Sequence, residues 1–127
     1  MTVEESEFFT KEELQCKCGC GQARMDEDFM QMMDILRFKL NKPVRLNSAY
    51  RCPEHNNNVS STGYNGPHTT GKAVDVRCSG KTAHAILKIA AGLDFDGIGI
   101  SQKGDHGGRF IHLDTLRGDT RPWVWSY

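Results

Sequence analysis

The sequence predicts an α+β fold: a small antiparallel or mixed sheet with helices on one face and a second face left open. Two observations carry this. Two segments place apolar residues on one helical face, and four short runs place them at every second residue. No repeat, low-complexity tract or second set of elements interrupts them. At 127 residues the chain fits a single domain, 1–127, long enough to bury one core without disulfide staples.

Thr10-Lys11-Glu12-Glu13 reads as a capping box opening a short helix, which the Cys/Gly turn at 16–21 ends. Over 26–40, Phe29, Met32, Met33, Leu36 and Leu40 share a helical face, and Pro43 stops the helix. Residues 44–50 alternate as a strand, with Val44, Leu46 and Tyr50 on one side and Arg45, Asn47 and Ala49 on the other. By that parity Ser48 belongs to the core side unless the strand bulges, and Arg51 continues the polar side. Residues 53–71, rich in Asn, Ser, Gly and Thr, read as one long loop of the kind that is usually functional or disordered. A strand over 73–78 follows, then a helix over 80–92 with Ala83, Ile86, Leu87 and Ala90 as its stripe. Two more strands are expected at 96–100 and 109–114, and the aromatic tail at 122–125 is expected to pack on the sheet.

Composition excludes several function classes. The formal net charge is zero and no Lys/Arg run stands out, which argues against nucleic acid or an anionic membrane as partner. No apolar run approaches the roughly 20 residues that span a bilayer. The acidic start, Met1 to Phe9, lacks the basic-then-apolar pattern of a signal peptide. The expectation is a monomer that stays in the cytoplasm of the producing cell and acts after release.

Strand parity locates a site. With Val74 and Val76 turned to the helices, Asp75 faces the open side. With Ile111 and Leu113 turned inward, Phe110, His112 and Asp114 face that same side. Where Ile98 and Ile100 are core, the other parity offers only Gly97 and Gly99, a strip that leaves room for a ligand. His68 lies six residues before Asp75, close enough for the chain to turn back toward it. Two imidazoles and one carboxylate form a donor set suited to zinc, and three protein ligands leave a fourth position for water. His84 reads as a surface or packed helix residue, while His55 and His106 sit in loops near the site elements.

Five cysteines include the triplet Cys16, Cys18 and Cys20. One reading is free thiols in a Gly-containing turn. The other is a second, structural zinc site completed by Cys52 or Cys78. Zinc motifs favour two-residue spacings, which weighs toward the first.

Ser48-Ala49-Tyr50-Arg51, Asn58, His68-x-x-Gly71-Lys72-Ala73-Val74-Asp75 and Phe110-Ile111-His112-Leu113-Asp114 resemble the zinc D-Ala-D-Ala carboxypeptidase/endopeptidase family. The likeness is to its small single-domain branch, found in bacterial peptidoglycan hydrolases and phage endolysins. The resemblance implies a hedgehog/DD-peptidase-like fold and one zinc ion on His68, Asp75 and His112. It also implies cleavage of peptidoglycan stem peptides, with Arg51 facing the substrate; Asn58, from the same motif set, and the loop residue His106 are the further candidate substrate contacts. Localisation would be that of a phage lysin, cytoplasmic until a pore releases it to the wall, and a host enzyme or one module of a larger protein fits equally. One departure stands out: larger relatives carry an acidic general base three residues before the last zinc histidine, where this chain has Arg109. Asp114 and Asp105 are then the candidate carboxylates, Asp114 alternatively serving to orient His112. Competing readings are a catalytically inactive zinc-binding module of the same fold and a zinc amidase acting on peptidoglycan. The His-Glu-x-x-His signature of other zinc proteases is absent.

Overall fold

A computed structural model describes residues 1–127. Helix α1 (Lys11–Leu14) opens on the expected capping box: the Thr10 hydroxyl accepts from the Glu13 N–H, and the Glu13 carboxylate accepts from the Thr10 N–H. The Asp26 carboxylate caps α2 (Glu27–Leu40) by accepting from the Phe29 N–H, and Asn41, in the left-handed region, closes it ahead of Pro43. Its inward stripe is Phe29, Met30, Met33, Leu36 and Leu40, with Met32 half-buried at the rim. Helix α4 (Gly80–Ala91) buries Ala83, Ile86 and Ala90.

Both helices pack against one face of a five-stranded sheet, giving a mixed α+β fold. Its strands are β3 (Arg45–Ser48), β4 (Ala73–Arg77), β5 (Gly97–Ser101), β6 (Phe110–Asp114) and β7 (Trp123–Ser126), in the order β3-β4-β6-β5-β7. All neighbours are antiparallel except β5 and β7, which run parallel, so the sheet is mixed. Val74, Val76, Ile111 and Leu113 supply the floor of the core, as their parity requires. A separate two-stranded ribbon, β1 (Thr2–Val3) with β2 (Met25–Asp26), ties the N-terminus to the start of α2.

Three expectations need correction. Residues 53–71 are not one loop but α3 (Pro53–Val59) and two 3₁₀ turns, Gly63–Asn65 and Pro67–Thr70. Pro53 at the first helical position and Glu54 in the first turn start α3 well. It lacks an apolar stripe because the fully buried Asn56 anchors it by hydrogen bonds to Thr62 and Gly63. His55 is therefore helical. In β3 the register slips, Leu46 pairing with Val76 but Ser48 with Asp75, so the bulge turns Ser48 to the open face. The tail does not merely pack on the sheet; it extends it as the edge strand β7.

Candidate active site

Cross-strand register builds one row across the open face: Ser48, Asp75, His112, Gly99 and Trp125 stand side by side on β3, β4, β6, β5 and β7. Paired residues on neighbouring strands point to the same side, so this row sets the site. His68 is delivered from the 3₁₀ turn Pro67–Thr70, and its backbone carbonyl accepts from the Arg51 N–H at 3.1 Å.

The imidazoles are oriented before any ion arrives. His68 Nδ1 donates to the Ala49 carbonyl at 2.8 Å, with the Ser48 hydroxyl at 3.5 Å, which leaves Nε2 facing Asp75 Oδ2 at 3.3 Å. His112 Nε2 donates to Asp114 Oδ2 at 2.7 Å, which leaves Nδ1 facing Asp75 Oδ1 at 3.0 Å. One nitrogen thus flanks each carboxylate oxygen, and the donor atoms of His68, Asp75 and His112 all lie within 4.8 Å of one another. Ligands at the usual zinc distances stand about 3.3 Å apart around a tetrahedron, so this donor set fits a divalent ion with little rearrangement. Fixing one ring nitrogen by an outer hydrogen bond while the other coordinates is the usual arrangement of metal-binding histidines.

The charges of the cluster act on one another. Burial works to raise the Asp75 carboxyl, but His112 and His68 outweigh it and hold it well below the ordinary carboxylate range. Burial works to lower His112, but Asp114 and Asp75 outweigh it and the imidazole is raised. Asp114 is fully buried and accepts from His112, from Arg121 Nε (2.9 Å) and Nη2 (2.8 Å), and from the Leu116 N–H (3.3 Å). Against the cost of burial, His112 and Arg121 keep its carboxyl down at about 2.

A cleft of about 640 Å³ lies over the cluster, walled by Ser60, Ser61 and Thr62 on one side and by Arg121, Trp123 and Tyr127 on the other. Arg51 reaches into it half-buried. Its Nη1 donates to Asn56 Oδ1 at 3.0 Å, and its Nη2 stands 3.8 Å from Asp75 Oδ2. Trp125 packs on His112 with ring centroids 5.1 Å apart, and the Arg121 guanidinium stacks over Trp125 at 5.0 Å. Burial raises the Tyr127 phenol, which keeps it a neutral donor on that wall.

The structure brings Arg51, His68, Asp75 and His112 together, but not every expected residue. Asp105 and His106 belong to a short turn that does not line the cleft; the Asp105 carboxylate accepts from the Gly107 N–H, and His106 borders a separate hollow with Arg77 and Cys78. Asn58 is exposed beside Cys18, Cys20 and Cys52, and Asn56 contacts Arg51 instead. Asp114 lies beneath His112 and not in the cleft, so Asp75 is the one carboxylate lining it. Arg109 turns back to the Gly104 carbonyl and places no cation there. His84 is exposed on α4.

The glycine strip is not a vacant floor. A Cβ on Gly97 would overlap the Asp114 carboxylate, and one on Gly99 would meet the Trp125 indole at 2.5 Å. The two glycines make room for those side chains. Sequence reasoning missed Arg121, Trp125 and Tyr127 as site residues; the available signal was the aromatic tail, whose strand partner could not be read locally.

The family model for peptidase M15 matches residues 7–114 of this chain. No curated protein and no solved structure matches it.

Proposed function

This chain belongs to the peptidase M15 family, and from that membership and the His68–Asp75–His112 cluster we infer a zinc metallopeptidase that hydrolyses peptide bonds in peptidoglycan stem peptides. The observation that carries the reading is the row Asp75–His112, with His68 added from its turn, at the base of a cleft large enough for a peptide segment.

Zinc, when bound, supplies Lewis acidity toward the scissile carbonyl and lowers the pKa of a bound water toward about 7. The protein's own groups hold the ion and orient the substrate. His68, Asp75 and His112 hold the ion, their ring tautomers set by Ala49 and Asp114. Arg51, steadied by Asn56, offers a planar fork to the carbonyl oxygen as charge develops on it, or to a terminal carboxylate. Asp114 acts as a positioning residue: it fixes the His112 ring and is itself fixed by Arg121. The Trp125 indole shields the far side of His112, and the neutral Tyr127 phenol adds a donor along the substrate path. The fit of a stem peptide follows from this lining. Arg51 suits its carboxylates, and the hydroxyls of Ser60, Ser61 and Thr62 suit its amides, while Arg121 stays engaged with Asp114 and Thr120.

The test is mass spectrometry of purified peptidoglycan digested by the wild type, by His68→Ala and by wild type with chelator. Shortened or uncrosslinked stems are expected from the wild type alone, and the product masses identify the bond. Products carrying a free muramyl lactyl group with intact stems would replace the peptidase reading by an amidase. Intact peptidoglycan at full zinc loading would leave an inactive module.

A further inference from the structure

Outside the cleft, the cysteines that the peptidase chemistry does not use are brought together. Cys16, Cys18 and Cys20 lie on the loop after α1, and Cys52 immediately precedes α3. Their four sulfurs all lie within 4.8 Å of one another. Cys16 and Cys18 are 3.4 Å apart, Cys16 and Cys52 3.8 Å, and Cys18 and Cys52 3.7 Å. Four thiolates at the usual zinc–sulfur distance of about 2.3 Å stand about 3.8 Å apart at the corners of a tetrahedron. A disulfide needs about 2.05 Å, and all the cysteines are free.

One-residue spacing argued against this site in the sequence, and the backbone resolves the difficulty. Gly19 and Gly21 have φ of +90° and +77°, a conformation that L side chains rarely adopt, and nothing crowds either Cα. Those two turns bend the loop around its own sulfurs. Backbone amides also point at the sulfurs: the Cys52 N–H donates to Cys16 Sγ at 3.3 Å and the His55 N–H to Cys52 Sγ at 3.5 Å. Cys78 is buried at the end of β4 with its thiol on the Val76 carbonyl, apart from the group, so Cys52 is the fourth member.

We propose that Cys16, Cys18, Cys20 and Cys52 hold a second zinc ion in a four-thiolate structural site. The ion clips the N-terminal loop to the corner that carries the neighbouring Arg51 and, one turn into α3, its partner Asn56. Cys16 and Cys52 are buried, whereas Cys18 and Cys20 are exposed, so the site closes at the surface.

Metal counting on the purified protein tests this independently of hydrolysis. Two zinc ions per chain are expected, one in Cys18→Ser, one in His68→Ala and none in the double variant. Serine at the exposed Cys18 leaves the core untouched. Should that variant misfold, X-ray absorption on folded His68→Ala gives the answer without it. Four sulfur neighbours at about 2.3 Å support the site. Nitrogen and oxygen neighbours alone, or an absorption edge of iron in place of zinc, overturn it. A single ion in the wild type, unchanged by Cys18→Ser, also overturns it.

Discussion

Replacing Asp114 by asparagine separates a positioning role from a proton-accepting one. Every hydrogen-bond partner of the Asp114 carboxylate is a donor: His112 Nε2, two Arg121 nitrogens and the Leu116 N–H. Asparagine keeps the shape, which matters because Gly97 is pressed against these atoms, but turns an NH₂ toward donors. It also leaves the Arg121 guanidinium without its counter-charge. Losing one partner of a buried pair costs about 3 kcal/mol, or roughly 10 °C in Tm for a chain of this size. Removing the outer partner of a metal-binding histidine weakens affinity about 10–100-fold, which is about 1.4–2.7 kcal/mol. Competition with a chromogenic chelator measures the zinc affinity, and hydrolysis is followed across a zinc series. The expected result is weakened binding with turnover restored largely by excess zinc. Unchanged affinity together with a rate loss of roughly two to four orders of magnitude, not rescued by zinc, would refute the positioning role and make Asp114 the general base.

Further outcomes follow from the same geometry. Arg51→Lys, which loses the planar fork held by Asn56, should retain zinc and fold but lower kcat about a hundredfold; wild-type rates would make Arg51 purely structural. Gly99→Ala drives a methyl into the Trp125 indole, so β7 should loosen at a cost of about 1–3 kcal/mol, read from Tm and a shift in tryptophan emission. Acid stability of the metal-free protein should also depend on Asp114, whose carboxyl is lowered to about 2 in the fold. A depressed carboxylate stabilises the fold above its unfolded pKa of about 3.9, and that contribution disappears as pH falls toward 2. It amounts to about 2–3 kcal/mol. Denaturant unfolding at pH 2 and pH 5 should therefore show a steeper loss in wild type than in Asp114→Asn.

What was legible in the sequence, and what was not, divides along a physical line. Asp75 and His112 were placed on a common face because β4 and β6 are regular and adjacent, and period-two alternation is a local property. The same rule misplaced Ser48, because the slip between Leu46 and Ser48 inverts parity at a point where no glycine marks a bulge. Helix α3 was missed because a buried side-chain amide, Asn56, takes the place of the apolar stripe that periodicity detects. The glycines of β5 were read as empty space because their occupants come from elsewhere: Asp114 across the β5–β6 ladder and Trp125 from a parallel edge strand. The cysteine group was legible only as one of two readings, since its fourth sulfur is 32 positions beyond Cys20 and the turns that gather the first three depend on backbone angles. Periodicity reports the face on which a side chain lies, and only tertiary closure reports what meets it there. This bears on the peptidase itself. The family match ends at Asp114, yet Arg121, Trp123, Trp125 and Tyr127, which form one wall of the cleft, all lie beyond it. The ion-holding half of the site is thus built from the segment shared with the family, and much of the substrate-facing wall from the segment outside it.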